Sequence, residues 1–221
     1  MTIKIILFDF DGTLGDTRAN IVLGMQIAMQ ETGFPVADEE SIATTIGLPA
    51  EQGYAVLIPG VPETEILRCT AAYRRIFEET LKTIRPALFP HVKETLASLK
   101  ESGITLTITS SREYDSLMRF LRDMEIEEYF TYVVGADSVK EVKPKPEPVL
   151  KTLNELHISP QEALVVGDMP VDILMGKNAG AKTCAVTYGN ANRETLEKTN
   201  ADYIIDDFAD LLQIVTDNKA N

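Results

Sequence analysis

The sequence predicts an α/β protein whose core is a doubly wound parallel sheet, with an α-helical cap domain inserted into it. Three observations lead to this fold class. Short apolar, β-branched runs alternate with amphipathic helical patterns along most of the chain, which is typical of parallel strands joined by helical crossovers. After the first run this alternation stops for roughly 70 residues, which is longer than an ordinary crossover. Polar residues also follow directly where several of the runs end.

Continuous apolar runs are predicted to form the strands of the sheet. A parallel sheet is covered on both faces, so its strands lack the alternation of apolar and polar residues seen in half-exposed strands. The segment 92–103 shows the connecting pattern, because Val92, Leu96 and Leu99 recur at helical spacing and Gly103 ends the helix. The predicted strands are residues 3–8, 104–109, 132–134, 163–166, 182–186 and 203–205.

The interval that follows the first strand is predicted to be a separate helical cap. It contains amphipathic stretches at 18–34 and 63–84, joined by a segment rich in glycine and proline at 46–63. The alternative is that these helices only cover the sheet, but the length of the strand-free interval favours a domain of its own. We therefore predict a core of residues 1–14 and 84–221 and a cap of residues 15–83.

Composition narrows the class of protein and its partners. The 221 residues are 44% hydrophobic and 25% charged, as in ordinary globular proteins. A formal net charge of −13 disfavours nucleic acid and anionic membranes as partners. The first apolar run is far shorter than the roughly 20 residues of a membrane span. With only two distant cysteines, Cys69 and Cys184, we expect a reducing, cytoplasmic location and a monomer or weak homodimer.

Carboxylate and hydroxyl side chains follow three of the predicted strands. In open parallel sheets, ligands bind outside the carboxyl ends of the strands, so these side chains are expected to converge. A loop at 141–148, stiffened by prolines, adds two lysines between them. The candidates are Asp9 and Asp11 after the first strand, Thr109 and Ser110 after the second, Lys143 or Lys145 in the loop, and Asp168 with Asp172 after the fourth.

Carboxylates that gather at one point repel each other unless a cation lies among them. Mg²⁺ prefers oxygen ligands and leaves room for a substrate phosphate, whereas the absence of nearby His and Cys argues against zinc. An Asp beside Mg²⁺ and a lysine is suited to nucleophilic attack on phosphorus. Taken alone, each acid has a simpler interpretation: a solvated turn for Asp9 and Asp11, a helix cap for Asp168, or a favourable charge near a helix N-terminus for Asp172.

Four motifs together resemble the haloacid dehalogenase-like (HAD) phosphohydrolases. They are DFDGT at 9–13, TITSS ending at Ser111, Lys143 in VKPKPEP, and GDMPVDI from Gly167. They occur in the family's order, and the helical insertion falls where the family's C1-type cap lies. The resemblance implies a Rossmann-like HAD core and a phosphatase similar to phosphoglycolate phosphatases. The chain departs from the family's usual residues at Gly15, Ser111 and Met169.

The resemblance assigns a role to each motif residue. Asp9 is the expected nucleophile and a metal ligand. Asp11 is the expected general acid and base, and it also binds the metal through its backbone carbonyl. Thr109 and the backbone of Ser110 are expected to hold the phosphoryl group. In the same scheme Lys143 neutralises charge, Asp168 completes the metal site, and Asp172 supports the site without binding the metal directly.

The cap supplies the candidates for substrate selection. Arg18 lies at the entrance of the cap. The sequence leaves two roles open for it, a contact with an anionic substrate or a solvated or helix-pairing side chain. The loop 47–53 corresponds to the family's specificity loop and carries Glu51 and Gln52. Sugar phosphomutases resembling this family often place an arginine there, so a mutase is disfavoured.

These expectations combine into one functional hypothesis. We expect a Mg²⁺-dependent phosphatase that hydrolyses a small phosphorylated metabolite through an aspartyl-phosphate. The alternatives are an inorganic pyrophosphatase, a sugar phosphomutase, or a non-catalytic protein that binds a phosphometabolite and has a regulatory role.

Overall fold

The computed structural model describes residues 2–219, apart from the side chain of Lys219. Its main feature is a six-stranded parallel sheet in the order β5-β4-β1-β6-β7-β8. This confirms the predicted fold class. In chain order the strands are β1 (Ile5–Phe8), β2 (Gly15–Asp16), β3 (Ala87–Leu88), β4 (Thr105–Thr109), β5 (Tyr132–Val134), β6 (Ala163–Gly167), β7 (Lys182–Val186) and β8 (Tyr203–Ile205).

The centre of the sheet is fully buried, which explains the continuous apolar runs in the sequence. Every residue of β1 and β6 is buried, as expected for strands covered on both faces. In register, Phe8 lies opposite Ile108 of β4 on one side and opposite Val166 of β6 on the other. The carboxyl ends of β1, β4 and β6 are therefore level, and the residues that follow them emerge at one place.

The chain winds outward in two directions from β1. It passes through β4 to β5 on one side, then crosses to β6 and continues to β7 and β8 on the other. The end of β1 thus lies where the winding reverses, which is where open α/β sheets bind ligands.

Helices cover both faces of the sheet and fill the interval between β2 and β3. Four of them lie in this interval, namely α1 (Arg18–Glu31), α2 (Glu39–Ala43), α3 (Ala50–Leu57) and α4 (Glu63–Thr80). The others are α5 (Val92–Glu101), α6 (Tyr114–Asp123), α7 (Glu147–Glu155), α8 (Pro170–Asn178), α9 (Arg193–Glu197) and α10 (Leu211–Lys219).

The segment 46–63, expected to be a connection, contains helix α3. Its glycines and prolines suggested a loop, but Pro49 and Pro62 stand directly before α3 and α4, where a missing N–H costs nothing. The side chain of Tyr54 in α3 is fully buried. Tertiary packing therefore outweighs the weak helix propensity of the segment.

A two-stranded ribbon joins the two ends of the helical interval. Gly15 pairs with Leu88 and Asp16 with Ala87 in an antiparallel arrangement. The expectation that no strand begins between residue 15 and residue 84 is therefore wrong for β2, which is too short to leave a pattern in the sequence. The division into core and cap at these boundaries stays a prediction.

The helical interval lies against the carboxyl end of the sheet and contacts the rest of the chain. The guanidinium group of Arg119 on α6 donates two hydrogen bonds of 2.6 Å to the carboxylate of Glu78 on α4. The hydroxyl of Ser111 donates a 2.6 Å hydrogen bond to the carbonyl of Gly47. Within the described part of the chain, no helix is both long and apolar enough to cross a membrane.

Candidate active site

Lys143 joins two of the predicted acidic residues at the floor of the site. Its ammonium nitrogen lies 2.5 Å from Oδ1 of Asp9 and 2.7 Å from Oδ1 of Asp172. The side chains of all three residues are buried, whereas Lys145 is exposed. Of the two lysines left open by the sequence, Lys143 is the one that contacts the acidic cluster.

Asp168 and Asp172 are held by hydrogen bonds around the start of α8. Oδ2 of Asp168 accepts hydrogen bonds from the backbone and side-chain nitrogens of Asn190, at 2.6 and 2.9 Å. Oδ2 of Asp172 accepts from the backbone N–H of Met169 at 3.0 Å. Asp9, Asp168 and Asp172 each place a carboxylate oxygen within 4.8 Å of the others. The structure thus brings together the acids that follow β1 and β6.

Burial determines the electrostatics of this cluster. It raises the pKa of Asp9 well above its ordinary value, and the negative charges of Asp172 and Asp168 act in the same direction against the charge of Lys143. Burial also raises the pKa of Asp168 to about 7, while hydrogen bonds from Asn190 oppose the change. Burial disfavours the ammonium form of Lys143, yet the carboxylates of Asp172 and Asp9 outweigh it and raise the pKa of this lysine.

The residues present fit a hard divalent cation. Three buried carboxylates lie together, and the ammonium group of Lys143 contacts two of them, Asp9 and Asp172. A divalent ion would balance the formal charge that Lys143 leaves. Oδ2 of Asp9 is buried and has no hydrogen-bond partner within residues 2–219, so the site is built to receive a further ligand, whether an ion or a substrate. The donors are all oxygen atoms, which is the set that hard cations prefer.

The last residue of β4 and the residue that follows it lie in two different environments. Oγ1 of Thr109 is buried and lacks a hydrogen-bond partner among the described residues. The backbone N–H of Ser110 donates to the carbonyl of Val134 at 2.9 Å, and the expectation that the backbone of Ser110 holds the phosphoryl group stays a prediction. The hydroxyl of Ser110 accepts from the backbone N–H of Arg112 at 3.1 Å.

A glycine lets the loop after β1 pass close to Asp168. Gly12 has a φ of +91°, and a Cβ atom there would lie 2.2 Å from both Oδ2 of Asp168 and Nδ2 of Asn190. Only a residue without a side chain fits this backbone conformation and this space. The close approach keeps the backbone carbonyl of Asp11 near the acidic cluster, where Nδ2 of Asn190 also reaches it at 3.5 Å.

Asp11 is held by an arginine that sequence reasoning missed. Its Oδ1 accepts hydrogen bonds of 2.6 Å from both Nη2 of Arg112 and Oγ1 of Thr17, and its Oδ2 accepts from Nε of Arg112 at 3.1 Å. Asn190 was also missed. Arg112 follows the end of β4 and Asn190 follows the end of β7. Both could have been found by the rule that ligands bind outside the carboxyl ends of parallel strands, which identified the acids.

A cavity of about 580 Å³ opens beside the cluster, between the sheet and the helical interval. Glu51 and Gln52 line it, and Glu51 also accepts a 3.0 Å hydrogen bond from Arg74. Their contact with a substrate stays a prediction. Arg18 does not belong to the described lining, and its Nε donates to Glu39 at 3.1 Å. The lining further includes Asp9, Asp11, Ser110, Ile21, Met25 and Phe77.

A family model described as haloacid dehalogenase-like hydrolase matches residues 6–186. The chain belongs to this family. The match covers the strands that carry the acidic cluster and the whole helical interval. It confirms the resemblance seen in the motifs and, together with the relatives below, the prediction of an enzyme of the phosphatase type.

Named relatives of this haloacid dehalogenase-like hydrolase align over nearly its whole length. A phosphoglycolate phosphatase from Photorhabdus laumondii is 32% identical over 96% of the chain and 92% of the relative. A Clostridium perfringens protein that carries the pyrophosphatase name PpaX is 35% identical over 96% of the chain and 97% of the relative. A similar crystal structure comes from Haemophilus somnus 129pt and is described as a predicted phosphoglycolate phosphatase. Its TM-score is 0.87 and its identity 29%, over 97% of this chain and 98% of the solved chain.

Proposed function

We propose that this chain is a Mg²⁺-dependent phosphatase that hydrolyses a small phosphorylated metabolite through an aspartyl-phosphate at Asp9. The observation that carries the proposal is the state of the Asp9 carboxylate. Lys143 holds its Oδ1, while its Oδ2 is buried without a partner among the described residues at the edge of the cavity. An oriented carboxylate with one free oxygen is suited to nucleophilic attack.

In the proposed reaction, the free oxygen of Asp9 forms a bond to phosphorus as the bond to the leaving oxygen breaks. Asp11 in its protonated form transfers its proton to that oxygen and becomes a carboxylate. The Asp11 carboxylate then takes a proton from the water that releases phosphate from Asp9, which restores its protonated form. The ammonium group of Lys143 keeps Asp9 aligned and offsets the negative charge that gathers on the phosphoryl group. The free hydroxyl of Thr109 supplies a hydrogen bond to that group.

The metal is proposed to be held by the carboxylates of Asp9 and Asp168 and the backbone carbonyl of Asp11, with Asp172 nearby. When bound, Mg²⁺ supplies positive charge that reduces the repulsion between an anionic nucleophile and a phosphate ester.

The cavity supports a small substrate. Its volume of about 580 Å³ suits a single metabolite, and Glu51 and Gln52 are proposed to contact the part that is not transferred. We propose that the substrate is a phosphoglycolate-like monoester, because the Photorhabdus relative is named a phosphoglycolate phosphatase. Pyrophosphate is the second candidate, because another relative at 35% identity carries a pyrophosphatase name. A cytoplasmic location and a monomeric or weakly dimeric state stay predictions.

A panel of substrates with and without Mg²⁺ tests the proposal. Phosphoglycolate, pyrophosphate, nucleotides and hexose phosphates are assayed for phosphate release by the wild-type protein and by Asp9→Asn. We expect Mg²⁺-dependent release from the wild type and none from the variant, with circular dichroism showing that the variant is folded. Activity in Asp9→Asn, or no release from any substrate, contradicts the proposal.

A further inference from the structure

Arg112 lies at the boundary between the sheet and the helical interval, and each of its three guanidinium nitrogens donates a hydrogen bond there. Nε and Nη2 face the two oxygens of Asp11, at 3.1 and 2.6 Å. Nη1 donates to the hydroxyl of Ser116 at 3.2 Å. Only 9% of the side chain is exposed. Two parallel bonds from a planar guanidinium group fix both the position and the plane of a carboxylate.

Two aromatic rings lie against the same guanidinium group, with their own centres 6.2 Å apart. Cζ of Arg112 lies 4.9 Å from the ring centre of Phe77 and 4.6 Å from that of Phe120. Phe120 belongs to α6 beside the sheet, whereas Phe77 belongs to α4 of the helical interval. The location of α4 therefore bears directly on the orientation of Arg112, and through it on Asp11.

Two simpler roles for Arg112 fit this geometry less well. A direct substrate contact would have to use the N–H groups of Nη1 and Nη2 that do not face Asp11, because Asp11 occupies the forked pair of Nε and Nη2. A purely structural ion pair would not need to face the cavity, yet Asp11 and Arg112 both line it. Thr17 alone contacts only Oδ1 of Asp11, so without Arg112 the carboxylate is free to turn about that contact.

We propose that Arg112 is a positioning residue that fixes the carboxyl group of Asp11 for proton transfer, and that Phe77 makes this orientation depend on the location of α4. The inference rests on the proposed function, in which Asp11 protonates the leaving oxygen. General acid catalysis contributes most when the leaving group is poor. Loss of Arg112 should therefore harm alkyl phosphates much more than aryl phosphates.

The test compares kcat/KM for an alkyl phosphate and for p-nitrophenyl phosphate, since kcat/KM reports steps up to the transfer of the phosphoryl group. We expect Arg112→Gln to lower the value for the alkyl substrate about 10²-fold, within the usual range for general acid catalysis, and the aryl value less than about tenfold. Arg112→Lys, which retains the charge without the fork, should lie between. Equal losses on both substrates would overturn the proposal.

Arg119→Gln is the matched control. Arg119 also links α6 to α4, through Glu78, which lines the cavity. Arg119 itself is not among the described lining residues, and its guanidinium group pairs with Glu78 and not with Asp11. We expect it to change both substrates by the same factor. A selective loss of alkyl phosphate activity in this variant would assign the effect to the link between helices and would overturn the proposed role of Arg112.

Combining the substitution with Asp11→Asn separates this inference from the proposed function. Asp11→Asn should itself lower alkyl phosphate activity selectively, and Arg112→Gln should add no further selective loss in that background. If Asp11→Asn is not selective, the proposed function of Asp11 fails. If Asp11→Asn lowers alkyl phosphate activity selectively but Arg112→Gln does not, only the present inference fails. The same holds if the double variant shows a selective loss equal to the product of the two single losses.

The contact with Phe77 has its own readout. Free energies of unfolding of Phe77→Leu, Arg112→Lys and the double variant form a cycle that isolates the coupling between the two side chains. We expect a measurable coupling and a smaller loss of alkyl phosphate selectivity in Phe77→Leu than in Arg112→Gln. Additive free energies, together with unchanged selectivity in Phe77→Leu, would exclude the link to α4.

Discussion

The ammonium group of Lys143 lies 2.5 Å from Oδ1 of Asp9, across 134 positions of sequence, and 2.7 Å from Oδ1 of Asp172. The lysine comes from a proline-rich loop, whereas the two acids follow β1 and β6. This buried contact joins the element that carries the proposed nucleophile to the element that carries the rest of the acidic cluster. Loss of the contact should therefore disturb both catalysis and folding.

Lys143→Ala should cost at least about 10²-fold in kcat, the effect of removing one preorganised donor. It should also destabilise the fold by about 3–5 kcal/mol, because it leaves buried carboxylates unpaired. Phosphate release and urea unfolding measure the two effects. Lys145→Ala is the control, since that side chain is exposed, and it should stay within about 0.5 kcal/mol of the wild type. The reverse order would transfer the role to Lys145.

The metal-free protein should lose stability as pH rises. The folded pKa of Asp168 is raised from 3.8 to about 7, so the folded state binds a proton more tightly than the unfolded state. That contribution is complete below pH 4 and is lost as pH rises through about 7. Thermal unfolding in EDTA, compared with Asp168→Asn, measures it. The prediction is wrong if the stability of the wild type, relative to that of Asp168→Asn, does not fall between about pH 4 and about pH 7.

Addition of Mg²⁺ should raise the unfolding temperature by several degrees more at pH 8 than at pH 5. Metal binding requires deprotonated carboxylates, and burial favours protonated Asp9 and Asp168 at the lower pH. Differential scanning fluorimetry with increasing Mg²⁺ at both pH values measures the shift. Asp168→Asn should show little shift at either pH, and an equal shift in that variant would place the ion elsewhere.

Asn190→Ala should weaken Mg²⁺ binding about 10- to 100-fold, as removal of the partner that orients a metal ligand usually does. The side-chain nitrogen of Asn190 donates to Asp168 at 2.9 Å. Isothermal titration calorimetry provides the affinity. Asn192→Ala is the matched control, because Asn192 only caps α9 by accepting from the backbone N–H of Thr195. Equal losses in the two variants would show that the effect belongs to the loop and not to Asp168.

Gly12→Ala should destabilise the protein more than Gly60→Ala does. Both glycines have positive φ, +91° and +81°, so both substitutions carry about 1–3 kcal/mol of backbone strain. A Cβ at Gly60 meets nothing within 4 Å, whereas one at Gly12 overlaps Asp168. Urea unfolding should show the difference, and Mg²⁺ affinity should fall only in Gly12→Ala. Similar results for both would mean that the loop around Gly12 can relax.

The amino-acid pattern was sufficient to predict the large sheet and the residues at its carboxyl edge. The strands of this sheet lie within two residues of their expected limits at each end, because a buried parallel strand must be continuously apolar and leaves a clear pattern. Asp9, Asp168 and Asp172 could be expected at this edge from the sequence alone, since strand ends of a parallel sheet meet at one edge.

How the side chains pair at that edge depends on tertiary packing. Four of the contacts described above join residues that are far apart in sequence. They are Lys143 with Asp9, Asn190 with Asp168, Arg112 with Asp11, and Arg18 with Glu39. Such contacts have no period and no local propensity that marks them. They arise because buried charges must find partners, and which partner is near depends on how the whole chain packs.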